Sequence, residues 1–120
     1  MDNMKLGVVE ARFAELIWAN QPIPSGELVQ LCQTELNWKK STTYTVLKKL
    51  CDRGIFTNQG GTVTALISKD DFYSIQSESF LNETFNGSLP AFIAAFSKRK
   101  PLTKDEIDAI RTMIDSYEED

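Results

Sequence analysis

Apolar residues recur every three or four positions in three successive segments of the N-terminal half, which is the spacing of helices with one buried face. The first segment predicts a helix over residues 7–20, and two prolines just after it prevent its continuation. Ser25 is a suitable N-cap for a second helix. A third helix is expected to begin near Ser41 and to end at Gly54, a residue type that is favoured just beyond a helix.

The middle of the chain predicts a β-hairpin, and the remainder predicts helices. Two segments rich in β-forming residues, 55–59 and 62–68, flank Gly60-Gly61, a pair that accepts the positive φ of a tight turn. Three further helical segments follow, and Asn86-Gly87 and Pro101 separate them. The predicted fold class is therefore mostly α with a small β-hairpin, in the order of a winged helix-turn-helix domain followed by a helical region.

The third predicted helix has two contrasting faces, one largely apolar and the other hydroxylated and basic. The polar face suits the major groove of DNA, because hydroxyls bond base edges or phosphates and threonine methyls pack on thymine methyls. Lys39 and Lys40 would lie at the start of this helix, where the helix dipole also favours phosphate. The hairpin would then be a wing that touches the flanking DNA backbone. On this pattern alone, a solvated surface helix is an equally good interpretation.

Charge is distributed unevenly along the chain, whose net charge is −4. Residues 1–60 carry seven Lys or Arg against six Asp or Glu, a net charge of +1, whereas residues 61–120 carry six against eleven, a net charge of −5. Five of the seven N-terminal cations lie within residues 39–53. One basic patch is enough to attract a polyanion to a net acidic chain, because attraction to phosphate acts over roughly a Debye length.

Composition excludes several classes of function. With 120 residues, 42% of them hydrophobic, the chain is long enough for about one packed domain. Histidine is absent, and two cysteines are too few for a disulfide framework or a four-thiolate zinc site. Because no nucleophile–base pair, phosphate loop or metal cluster is present, we predict neither an enzyme nor a cofactor. The lack of a ~20-residue apolar run and of a signal-peptide core predicts a cytoplasmic protein without membrane insertion.

The C-terminal helices carry more apolar surface than they can bury by themselves, since small domains bury a low fraction of their surface. A second copy of the chain is the expected cover. We therefore expect a DNA-binding domain over residues 1–69 and a helical dimerisation domain over residues 70–120. The expected dimer surface comprises Phe72, Ile75, Phe80, Phe85, Phe92, Phe96, Ile107, Ile110 and Ile114.

The chain resembles the penicillinase repressor family of bacterial winged-helix transcription factors over roughly residues 6–118. The residues that carry the resemblance are Glu10-Ala11, Ile17-Trp18, Pro22-Ile23, Trp38-Lys39, Thr42, Thr45, Leu47, Leu50, Gly54, Gly61, Val63, Glu78-Ser79-Phe80-Leu81, Asn86-Gly87, Leu102-Thr103 and Glu106-Ile107. Each motif alone is weak, but their combination and order are fairly specific.

The resemblance implies a homodimer that binds a palindromic operator in double-stranded DNA and represses genes for β-lactamases or penicillin-binding proteins. It also implies induction through a membrane sensor-protease that cuts before a phenylalanine in the fifth helix. The matching bond here is Ala95-Phe96, where the family has Asn-Phe. The DNA contacts expected from the helix pattern and the resemblance together are Lys39, Lys40, Ser41, Thr42, Tyr44, Thr45, Lys48, Lys49 and Thr62.

Several of these positions depart from the residues that the family usually carries. The family often has Pro-Lys at Lys40-Ser41, lysine at Tyr44 and arginine at Thr62. These departures leave a second hypothesis open, a winged-helix protein-interaction module that has lost specific DNA binding. The sequence predicts neither the regulated gene nor the inducer.

Overall fold

The computed structural model describes residues 5–118, which form six helices and three short strands. In chain order these are α1 (Val8–Asn20), β1 (Ile23–Pro24), α2 (Ser25–Leu36), α3 (Lys40–Asp52), β2 (Phe56–Gln59), β3 (Thr62–Ala65), α4 (Lys69–Phe85), α5 (Leu89–Arg99) and α6 (Lys104–Glu118). The chain divides into two compact units, one up to Ser79 and one from Phe80 onward. The functional boundary after residue 69 stays a prediction. The first four residues of the predicted DNA-binding domain and the last two of the predicted dimerisation domain lie outside the described range.

The core of the first unit is built where α1, α2 and α3 meet the sheet. Its completely buried side chains come from every one of these elements, and they include Phe13, Ile17, Leu28, Cys32, Leu50, Ile55, Phe56 and Val63. Helical spacing explains the burial of those on α1, α2 and α3, because each helix turns one apolar stripe inward. Truncation of a phenylalanine in such a core costs about 3–5 kcal/mol.

The sheet has three antiparallel strands in the order β1-β3-β2. The hairpin is confirmed: Gly60 and Gly61 both have positive φ, 59° and 84°, as a two-residue type I′ turn requires. Strand β1 was not expected, because two prolines around Ile23 indicated only a helix stop. Ile23 nevertheless pairs with Val63 of β3, and this edge strand tolerates proline because its outer side needs no donor.

Trp18 attaches the start of α4 to the first unit. Its ring lies 5.3 Å from Phe56, 5.5 Å from Phe72 and 5.9 Å from Tyr73 between ring centroids. Its indole nitrogen donates a hydrogen bond of 3.1 Å to the carbonyl of Ile67. Phe72, expected at the dimer surface, is instead completely buried. The expectation for Phe72 was wrong because this chain already covers the side chain.

The second unit consists of the end of α4 with α5 and α6. Asn86 and Gly87 end α4 with positive φ, and the Ser88 hydroxyl caps α5 by accepting from the amide of Ala91 at 3.1 Å. At α6, Thr103 and Glu106 form the predicted capping box, with reciprocal bonds of 2.9 and 3.1 Å. None of the helices in the described range is long and apolar enough to cross a membrane.

Candidate nucleic-acid interface

Helix α3 has the two faces that its sequence predicts. Thr43, Leu47 and Leu50 are buried in the first unit's core. The Thr43 hydroxyl donates to the carbonyl of Lys39 at 3.2 Å, which satisfies a polar group inside this core. We call four of the exposed residues of this helix the outer face, namely Ser41, Thr42, Thr45 and Lys48.

The N-terminal end of α3 is the more cationic end of the helix. Lys39 is the N-cap, with extended backbone and no capping bond from its side chain, and Lys40 opens the helix. Both residues are exposed, and neither ammonium group has a hydrogen-bond or ion-pair partner among residues 5–117. No acidic residue occupies the first turn. The two lysines and the positive end of the helix dipole therefore favour an anion at this end.

The C-terminal end of α3 is neutralised by ion pairs. Lys48 lies 3.0 Å from Asp52, one turn away on the same helix. Lys49, expected to contact phosphate, lies 2.7 Å from Glu10 on α1. Arg53 also approaches Glu10, at 3.7 Å, and donates to the carbonyl of Lys5 at 2.9 Å. The structure thus gives Lys49 a carboxylate partner that its position on the helix did not indicate.

Tyr44 lies at the edge of the outer face and is half-buried. Its hydroxyl donates to the Ser25 hydroxyl at 2.9 Å, which joins α3 to the first turn of α2. Tyr44 was expected to be a DNA contact, but its donor is already used within the chain. The helical spacing placed it with Ser41 and Thr45, although a residue at the edge of a face can equally bond a neighbouring helix.

The hairpin is fastened to the start of α2. The amide of Ser25 donates to the carbonyl of Gly61 at 2.7 Å, and the Gln21 side chain accepts from the amide of Ala65 at 2.7 Å. Thr62, expected as a wing contact, follows the turn and is exposed. These two hydrogen bonds hold the hairpin beside the helix-turn-helix, in the place that a wing occupies.

A shallow cleft of about 440 Å³ separates α3 from β2. Lys48 and Tyr44 line it on the helix side, and Thr57 and Asn58 line it on the strand side. The two strand residues carry no signal in the sequence, because a four-residue polar strand has no motif. Cys51 also lines the cleft, and burial raises the pKa of its thiol, which makes it a poor nucleophile.

The expected dimer surface lies mainly in the second unit, where no side chain within residues 80–117 is fully buried. Phe92 is its aromatic centre, with ring centroids of Phe80, Phe85 and Phe96 at 5.6–6.1 Å. Four of the expected residues are exposed, namely Ile75, Phe80, Phe96 and Ile114. Four are half-buried, namely Phe85, Phe92, Ile107 and Ile110.

The bond between Ala95 and Phe96 lies in the second half of α5. The carbonyl of Phe96 accepts from the amide of Lys100 at 3.1 Å, so helical hydrogen bonding continues past this bond. A protease binds its substrate in an extended conformation, and cleavage here requires local opening of the helix.

These features define a winged helix-turn-helix fold, in which α2 and α3 form the helix-turn-helix and the β2–β3 hairpin forms the wing. Comparison with known proteins identifies the group within that fold. The family profile described as Penicillinase repressor matches residues 6–116. A penicillinase repressor of Bacillus licheniformis is 25% identical over 112 residues, which cover 90% of this chain and 88% of that protein. The chain belongs to the penicillinase repressor family, which is a family of transcriptional repressors.

Proposed function

We propose that two copies of this chain bind a palindromic operator as a transcriptional repressor in the cytoplasm, with one α3 in each of two successive major grooves. The observation that carries the proposal is the exposed outer face of α3, which adjoins Lys39 and Lys40, two lysines without a partner among the described residues. Hydroxyl groups on this face suit base edges, and the two lysines suit the adjacent phosphates. Binding of both half-sites requires the two helices to be about 34 Å apart.

The second unit supports a dimer. Side chains such as Phe96 and Ile114 remain 43% and 53% exposed, which is costly for large apolar groups in water. A second copy that covers them would bury the aromatic cluster around Phe92. The distribution of charge also supports DNA binding by the first half and dimerisation by the second, because the basic segment lies in the first half and the acidic excess lies in the second.

A salt titration of binding to duplex DNA tests the proposal. The full chain is titrated by fluorescence anisotropy against the DNA upstream of its own gene and against a random duplex of equal length. We expect the upstream fragment to bind at least roughly a thousandfold more tightly than the random duplex, and we expect binding to both duplexes to depend strongly on salt. Equal affinity for the two duplexes, or no binding to either, would overturn the proposal.

A protein-interaction module is the second candidate. The hydrogen bond of Tyr44 to Ser25 and the ion pairs of Lys48 and Lys49 favour it, because they reduce the groups available to DNA. Under this alternative, the anisotropy titration gives weak binding that does not differ between the two duplexes.

A further inference from the structure

Glu10 lies in the first turn of α1, and its carboxylate reaches the C-terminal end of α3. One oxygen, Oε2, lies 2.7 Å from Nζ of Lys49. The other, Oε1, accepts from the amide of Gly7 at 3.1 Å and lies 3.7 Å from Nη1 of Arg53. The side chains of Glu10 and Arg53 are only 20% and 25% exposed, so these two members are partly shielded from water and salt, whereas the Lys49 side chain is 55% exposed. We call Glu10, Lys49 and Arg53 the Glu10 cluster.

The Glu10 carboxylate is held in its charged form. The hydrogen bond from Lys49 and the amide of Gly7 lower the pKa of Glu10, and Arg53 adds to this effect. At neutral pH the carboxylate is therefore a permanent anion beside two cations of α3. A DNA phosphate would carry the same charge and bond the same donors.

The five cations within residues 39–53 fall into two groups. Lys39 and Lys40 have no partner in the part of the chain that the structure describes, whereas the three nearer the C-terminus each have a carboxylate within 4 Å. Asp52 and Lys48 form an exposed ion pair, and a DNA phosphate can displace Asp52 from Lys48 at little energetic cost. Glu10 binds Lys49 and Arg53 from another helix, and its side chain is less exposed than that of Asp52. A DNA phosphate therefore displaces Glu10 from these cations less readily.

We propose that Glu10 is a positioning residue that keeps Lys49 and Arg53 away from DNA phosphates and so lowers the affinity of this chain for random DNA. Binding to random DNA comes almost wholly from contacts between cations and phosphates. Fewer available cations weaken it, while base contacts from the outer face are unaffected. Glu10 therefore limits the sequence-independent part of the affinity, which determines how strongly the repressor is held at the many competing sites in a genome. This inference rests on the proposed DNA-binding function.

The Glu10→Gln variant of the full chain tests the inference. Its affinity for a random duplex and for the upstream fragment is measured by anisotropy across a range of salt concentrations. The slope of log K against log salt should steepen by roughly 1 to 2, about 0.9 for each released cation. Each added contact makes random binding lose roughly a further three- to fourfold between 50 and 200 mM salt. At low salt, the affinity for both duplexes should rise by a similar factor, because phosphate contacts carry no sequence information.

Glu15→Gln is the matched control, because it makes the same change of charge in the same helix. Glu15 pairs with Lys69 of α4 at 2.7 Å, and no hydrogen bond or ion pair joins it to α3 among residues 5–117. This variant should keep the wild-type slope. The double variant Glu10→Gln/Lys49→Gln should show about half of the increase in salt slope that Glu10→Gln shows, since one of the two released cations is then missing.

A second variant keeps the inference testable if Glu10→Gln is unstable. Because Glu10 keeps Lys49 from DNA phosphates in the native protein, Lys49→Gln alone should leave the salt slope unchanged. A slope that falls by about 0.9 in Lys49→Gln would overturn the inference, since Lys49 would then already contact phosphate. An unchanged slope in a folded Glu10→Gln variant that still prefers the upstream fragment would overturn it too, while leaving the proposed function intact. A wild-type chain that binds neither duplex would overturn both.

Discussion

The hydroxyl of Tyr44 donates a hydrogen bond to the hydroxyl of Ser25 across 2.9 Å and thereby joins the middle of α3 to the beginning of α2. The same residue, Ser25, donates its amide to Gly61 in the wing turn. One serine thus connects the recognition helix and the wing. These two hydrogen bonds of Ser25 help to hold α3 and the wing in place relative to each other.

We expect Tyr44→Phe to lower the free energy of unfolding by about 0.5–1.5 kcal/mol, the usual worth of one hydrogen bond. Urea denaturation followed by circular dichroism measures the change. Tyr117→Phe is the control, because Tyr117 is 82% exposed and its replacement should leave stability unaltered. Equal midpoints for the two variants would show that the bond to Ser25 contributes nothing.

Thr45→Ala should weaken binding to the upstream fragment by about 1–3 kcal/mol and leave binding to random DNA nearly unchanged. Thr45 lies in the centre of the outer face, where base edges come nearest, and a lost base contact carries this cost. Lys40→Ala is the comparison, because the loss of a phosphate contact should weaken binding to both duplexes alike and reduce the salt slope by about 0.9. If both variants acted equally on the two duplexes, the outer face would not be the surface that distinguishes sequences.

Ile114→Asp should convert the dimer to a monomer, because it places a charge on an exposed apolar position of α6. Sedimentation velocity gives the oligomeric state, and operator affinity should fall roughly a hundredfold or more as one half-site is lost. Ser116→Asp, on the opposite side of the same helix, should remain dimeric. A dimeric Ile114→Asp protein would contradict the proposed interface.

The protein should remain uncut at Ala95-Phe96 when its host is exposed to a β-lactam. Alanine lacks the amide that a pocket for asparagine would bond, and such unpaired polar groups discriminate strongly. The helical bond of Phe96 to Lys100 adds local protection. Immunoblotting of treated cells provides the check, and a fragment that ends at Ala95 would refute this expectation.

Acid should destabilise the fold in part through Glu10. Because the folded-state pKa of Glu10 is lowered, its contribution to stability is complete above the ordinary glutamate pKa, and it disappears as pH falls through the lower folded value. Urea midpoints measured from pH 7 to pH 3 should therefore drop less in Glu10→Gln than in the native protein. Parallel pH profiles would mean that the Glu10 cluster contributes no pH-dependent stability.

Local chemistry was sufficient to predict most of the elements. The turn at Gly60-Gly61 and the end of α4 at Asn86-Gly87 follow from the φ values that those residue types accept. The start of α6 follows from the contact of Thr103 with Glu106, three positions apart. The exposed outer face of α3 follows from helical spacing. All of these depend on a residue and its near neighbours along the chain.

The tertiary structure decided which partner each face meets. Strand β1 exists only because β3 lies beside Ile23, and no property of a single residue between two prolines predicts that pairing. The buried position of Phe72 depends on Trp18, and the partner of Lys49 is Glu10, each far away in the chain. Periodicity identifies an apolar or charged stripe but contains no information about what covers it, because contacts between distant segments form only when the chain packs.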